Sequence, residues 1–327
     1  MKSILILKRI QVQNANAIAG LTWGFPAITN FLGFTHALSR FVHSQHSVQL
    51  GGCAVICHQH QVHAYQPSGY GEYIFSLTRN PLTSTGKTAP FNEEGRMHME
   101  VSLIIECDFS TNRIDFDTGS DDQDISLFEN QVKQKVLSQR LAGGTILDIE
   151  KVEFFQFAQG TEESDRQFRR LMLNLLPGFL LVDRSELLSE HFDHIKQDNP
   201  DAELLDAWFD FSALKFKADP EQIEGQELDE NTSAEWIRVE KPAQGWLVPL
   251  MTGFKAISPL YEPGQVANTR DPETSFRFVE SAYGVGQWLS PHRVKDMHQI
   301  FWHYYQDGNW YLCKNNYQPG TNQSLSI

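Results

Sequence analysis

Clusters of histidine, cysteine and glycine are where this 327-residue chain offers candidate chemistry. Cys53, Cys57, His58, His60 and His63 lie close together and are of the types that ligate zinc. On a strand, however, Cys53 and Cys57 share one face while His58 and His60 share the other. The short Cys-x2-Cys knuckle of a structural zinc site is also missing. The segment reads as a strand with buried cysteines and exposed histidines, and no metal site is expected. Gly86-Lys87-Thr88 ends like a P-loop, but the motif requires glycine where Pro81 stands. Gly284-Val285-Gly286 lacks the third glycine of a dinucleotide fingerprint. A metal-independent ribonuclease needs a histidine base near a 2′-hydroxyl. His36 is the candidate, yet Leu32, Phe34 and Leu38 around it make it read as an ordinary helix histidine. No Ser-His-Asp set, paired carboxylates or cofactor motif is legible.

The elements that position these residues follow from periodicity. Ile4–Leu7, then Ile10 and Val12, predict a buried first strand over 4–13. Apolar residues at Ile28, Phe31, Leu32, Phe34, Leu38, Phe41 and Val42 predict a helix from Pro26 to about His43. Strands are expected at 53–64, 72–78, 97–107 and 145–157, with a long loop at 79–95 and a helix at 125–141 that Gly143-Gly144 stops. This β-α-β-β-α-β rhythm over residues 1–160 is that of a ferredoxin-like, RNA-recognition-motif-type α+β domain. Residues 161–232 read as a helical, acidic segment with a turn-rich linker at 219–232. Residues 233–327 read as a β-rich part packing on the first.

Composition bounds the setting. Hydrophobic residues make up 41% of the chain and aromatics 12%, which fits a folded protein. The four cysteines form no disulfide pattern. The longest apolar run, Leu171–Val182, is far short of the roughly 20 residues of a membrane span. A reduced, cytoplasmic protein without membrane contact is expected. The net charge of −14 argues against nucleic acid, but the distribution does not. Residues 1–92 carry a net +5 and residues 236–327 a net +1, whereas 93–235 carry −20. Both ends of the chain are therefore available to an RNA-facing surface.

Several collinear motifs resemble one family. They are Gln13-Asn14-Ala15-Asn16-Ala17, Leu21-Thr22-Trp23-Gly24-Phe25-Pro26 and Gly33-Phe34-Thr35-His36-Ala37-Leu38. Arg79-Asn80-Pro81-Leu82, Gly86-Lys87-Thr88, Glu93-Glu94-Gly95-Arg96, Gly284-Val285-Gly286-Gln287-Trp288 and Ser290-Pro291-His292-Arg293 continue them. Together they resemble the second Csy subunit, the Cas-five-like protein of type I-F CRISPR surveillance (Csy/Cascade) complexes. The resemblance implies a RAMP-like, RNA-recognition-type fold and no catalytic residue. It implies a role in antiviral defence, holding the 5′ handle of the crRNA with the large Csy subunit as a heterodimer, beside the terminal backbone subunit. Target DNA is then met only within the assembled complex. A crRNA-processing endoribonuclease of the same superfamily and a plain interaction module are the alternatives.

Holding a short single strand calls for amides at base edges, planar groups for stacking and cations for phosphates. Asn14 and Asn16, just after the first strand, are candidate base readers, or form an ordinary Asn turn. Trp23 and Phe25 could stack on bases, though Trp23 equally suits the core. Arg79, Lys87 and Arg96 bracket the loop 79–95, a candidate thumb. Arg270, Arg277, Trp288, His292 and Arg293 form the C-terminal candidate patch.

Overall fold

The computed structural model describes residues 3–79, 81–109, 121–158, 160–220 and 233–319. The acidic stretch expected at 115–124, the linker at 219–232 and the end of the polar tail lie largely outside these residues. The chain divides into two compact units. The first holds residues up to Asp183, 250–283 and 289 onward; the second holds 184–249 and 284–288.

In the first unit, β1 (Ser3–Asn16) opens with Ile4, Leu5, Ile6 and Leu7 all buried, which requires cover on both faces. From Ile10 onward burial alternates with exposed Gln11 and Gln13. α1 (Ile28–His46) buries Ile28, Phe31, Leu32, Leu38 and Val42 at helical spacing. It ends at Ser47, left-handed at φ 57, whose N–H bonds the His43 carbonyl. β2 (Val48–Val62), β3 (Arg96–Phe109), α2 (Asp121–Leu137), β4 (Arg140–Leu141) and β5 (Gly144–Gln156) follow. α3 (Thr161–Asn174) and β6 (Phe179–Asp183) come next, then β7 (Trp246–Ala256), β8 (Val279–Leu289), β9 (His303–Asp307) and β10 (Trp310–Lys314). The ten strands make one large antiparallel sheet in the order β4-β5-β1-β3-β2-β6-β8-β7-β10-β9.

Alternation on β1 sorts the layers. Leu5 stands opposite Phe154 of β5, and Phe154 meets Phe128 of α2 edge-on at 6.3 Å. α2 therefore covers the Leu5 face. The Ile4 face, with Ile6, Ala54, Ile56 and Ile104, packs against Phe168, Met172 and Leu175 and against Met297, Ile300 and Phe301. This second cover stops at the bulges. β1 and β3 slip in register between Leu7 and Ile10 and again between Val12 and Ala15, and β2 and β3 slip between Cys57 and Gln59. Past them the same face turns polar, with Gln11, Gln13, Gln59, His98 and Glu100.

Two expectations change in detail. Residues 161–232 read as a helical, acidic segment, but Phe179–Asp183 is a strand inserted beside β2. A short apolar run after Pro177-Gly178 carries no period that separates strand from helix. The strand expected at 72–78 is instead two short ribbons, Ala64–Tyr65 with Ile74–Phe75 and Leu77–Arg79 with Phe91–Glu93. The second ribbon ties the ends of the loop 79–95 together.

The second unit contains α4 (Glu186–Asp198), α5 (Leu204–Ser212) and the ribbon Phe216–Pro220 with Ala234–Arg238. Its buried Trp208 donates its indole N–H to the Gly284 carbonyl at 3.1 Å. Buried Arg184 bonds the side chains of Gln287 and Glu186.

Candidate nucleic-acid interface

The end of β1 is shaped by backbone that few side chains tolerate. Asn14 is left-handed at φ 56, which lifts its side chain out of the ladder into solvent. Its peptide N–H donates to Nδ1 of His98 at 3.2 Å, so that nitrogen carries no proton. Arg96, at the start of β3, donates from Nε to Glu94 Oε2 at 2.8 Å and from Nη1 to the Asn14 carbonyl at 3.5 Å. Glu94 orients the guanidinium, whose side chain stays one-third exposed.

β4 and β5 form a tight hairpin through Ala142 and Gly143, left-handed at φ 50 and 75, the backbone of a two-residue turn. The hairpin leans on β1. Asn16 N–H donates to the Ala142 carbonyl at 2.8 Å. A Cβ at Gly144 would lie 2.7 Å from the Gln13 carbonyl and 2.8 Å from the Ala15 nitrogen. Only glycine permits that approach. The hairpin holds Arg140 exposed at the rim. Gln13, Asn14, His63, Arg96, Arg140 and Thr145 thus surround an open groove of about 630 Å³. The His63 ring meets His98 edge-on at 4.2 Å, and burial together with the His98 neighbour pushes its pKa below the usual histidine value.

Asn14 and Arg96 are the two sequence-predicted residues that meet here. Asn16 spends its amide locally, donating to the Ile18 carbonyl at 2.8 Å and accepting from Ile18 N–H at 3.1 Å, an Asx turn. Trp23 is half exposed and contacts Tyr73 and Phe75 at 6.2 and 5.6 Å. Phe25 instead stacks on Phe31 at 5.6 Å. Lys87 is exposed at the end of the Thr83–Lys87 turn. Arg79 contributes backbone to a ribbon, and its side chain lies outside the described part. Arg270 and Arg277 belong to the segment between β7 and β8. His292 and Arg293 are exposed on the turn Pro291–Arg293, where Ser290 Oγ bonds His292 Nδ1 at 2.8 Å. None of these four lines the groove. Trp288 belongs to the second unit, half-buried 6.4 Å from Trp246.

Arg140, Gln13, His63 and Thr145 were missed. The helix expected through residue 141 concealed Arg140; the helix ends at Leu137, and the turn residues Ala142-Gly143 were the available signal. The cysteines are poor nucleophiles. Burial pushes the thiols of Cys53, Cys57, Cys107 and Cys313 up to about 12, so they are protonated near neutrality. Among the described residues, no group of three His, Cys, Asp or Glu could hold a metal, and no helix is long and apolar enough to cross a membrane.

The chain is a mixed α/β protein built on a large antiparallel sheet, with an amide and two arginines around an open groove. The comparisons name the family. The profile described as CRISPR-associated protein (Cas_Csy2) matches residues 5–313. The chain is also 39% identical over 314 residues to the CRISPR-associated protein Csy2 of Pseudomonas aeruginosa (strain UCBPP-PA14), covering 94% of this chain and 92% of that protein. The chain belongs to the Csy2 family, subunits of type I-F CRISPR complexes, as its motifs implied.

Proposed function

We propose that this chain is a non-catalytic, crRNA-binding subunit that holds the 5′ handle of the guide together with the large Csy subunit. The observation that carries the reading is the convergence of Asn14, Arg96 and Arg140 on one open groove. An amide for a base edge and two cations for phosphates are the groups a held single strand needs. The fold supports it. The order β1-α1-β2-β3-α2-β5, with neighbours β5-β1-β3-β2, is what a ferredoxin-like, RNA-recognition-type reading expects and supports that reading. In this reading the chain works in the cytoplasm, beside the terminal backbone subunit, and meets target DNA only in the assembled complex.

The test is to incubate the purified chain with repeat-containing RNA under single-turnover conditions, with and without the large subunit. The RNA remains intact and is retained by the chain. Specific cleavage that disappears in His36→Ala would replace this reading by a processing ribonuclease.

A further inference from the structure

A second groove, of about 620 Å³, adjoins the first on the open end of the sheet and shares Gln13 with it. Its chemistry differs. Gln11 of β1 and Gln59 of β2 both stand directly opposite Glu100 of β3, and Gln61 stands opposite His98. Directly opposed residues share a face and lie about 5 Å apart, so Gln11, Glu100 and Gln59 form a row across three strands. The side-chain amides of Gln11, Gln13, Gln59 and Gln61 take part in no hydrogen bond among the described residues. Exposed amides alone signify little. Four converging in one concavity, on the face where the apolar cover has ended, make a hydrogen-bonding surface with both donors and acceptors.

The charges select the ligand. Among the described residues no Lys or Arg lines this groove, and the one acid that does, Glu100, is paired with Arg9. A phosphate placed here would meet a carboxylate and no free cation. A nucleobase would meet paired donor–acceptor amides and a carboxylate that accepts from an exocyclic amino group. The cations lie next door, at exposed Arg140 and at Arg96, whose guanidinium is held by Glu94 and is one-third exposed. We infer that the Gln11–Glu100–Gln59 row reads the edges of one or two unpaired bases whose phosphates rest on Arg96 and Arg140. This rests on the RNA-holding reading and deepens it, because it divides the site into a base-reading and a phosphate-holding half.

The test uses fluorescence anisotropy on the full chain. The probes are single-stranded RNA of the repeat-derived 5′ handle sequence, a scrambled RNA, and a series with one abasic nucleotide at each handle position. The wild type loses about tenfold in affinity at one or two adjacent abasic positions, the size of a lost bidentate base contact. Gln59→Met and Gln11→Met, at exposed positions that leave the fold intact by circular dichroism, weaken the intact handle by about the same factor and become insensitive at those positions. Arg140→Ala weakens every probe and keeps the abasic profile. If the wild type binds the handle but both glutamine variants keep its affinity and profile, the base-reading inference is wrong and the RNA-holding reading stands. If the wild type does not prefer the handle to the scrambled RNA, both are wrong.

Discussion

Replacing Arg140 by alanine isolates one phosphate contact. Its guanidinium is exposed at the groove rim and forms no ion pair among the described residues, so its loss leaves no described partner behind. Among the described side chains, three cations belong to the groove and the loop that meets it at Pro81: Lys87, Arg96 and Arg140. Each phosphate neutralised on a single strand contributes about −0.7 to the slope of log K against log salt. Three contacts make affinity fall about 18-fold between 50 and 200 mM salt, and two make it fall about 7-fold. Arg140→Ala should therefore weaken binding most at low salt, with a slope smaller by about 0.7. Arg140→Lys should restore the slope, because a point charge suffices for counterion release. Anisotropy titrations of handle RNA at four salt concentrations measure it. A slope unchanged in Arg140→Ala would remove the groove from the RNA surface.

Three further outcomes follow from the geometry. Gly144→Ala places a methyl 2.7 Å from the Gln13 carbonyl, so it should destabilise by about 1–3 kcal/mol and weaken RNA binding without touching RNA. Urea midpoints and titrations check both, and an unchanged pair of values means that β5 does not press on the Asn14 bulge. His58 donates from Nδ1 to the Pro177 carbonyl at 2.6 Å, and its Nε2 shares a hydrogen bond with Ser102 Oγ at 2.7 Å. Burial holds its pKa, like that of His63, below the usual value. The unfolded chain then takes up the proton first, so stability is full above about pH 6.5 and falls as pH drops below it. Urea melts from pH 8 to 5 that superimpose would contradict this. A thiol reagent at pH 7.5 should modify none of the four cysteines in the native protein and all four in denaturant; rapid native labelling would place a cysteine outside the core.

The central strands and both helices of the first 160 residues were legible because their cores announce themselves. Ile4–Leu7 can only be a strand covered on two sides, and the Phe31, Leu32, Leu38 and Val42 spacing has a helical period. Asn14 and Arg96 were legible by type and place. The groove between them was not. It depends on Arg140, carried on a hairpin two residues long, and on the absent Cβ of Gly144, neither of which has a period. The glutamine row was illegible for another reason. Gln11, Glu100 and Gln59 are far apart in the chain and are aligned only by strand register, which bulges shift twice on β1. Alternation could not find Phe179–Asp183 either, since a strand buried in mid-sheet shows none.

The most direct test is to map where guide RNA touches the chain. Ultraviolet crosslinking of the chain to its handle RNA, followed by mass spectrometry of the crosslinked peptides, reports contact without any mutation. Crosslinks should fall on the peptides that carry Gln13–Asn14, Gln59–His63, Arg96–Glu100 and Arg140–Thr145. Crosslinks confined to the acidic segment 161–219, or to the C-terminal patch around Arg293 with none at the end of β1, would contradict the account.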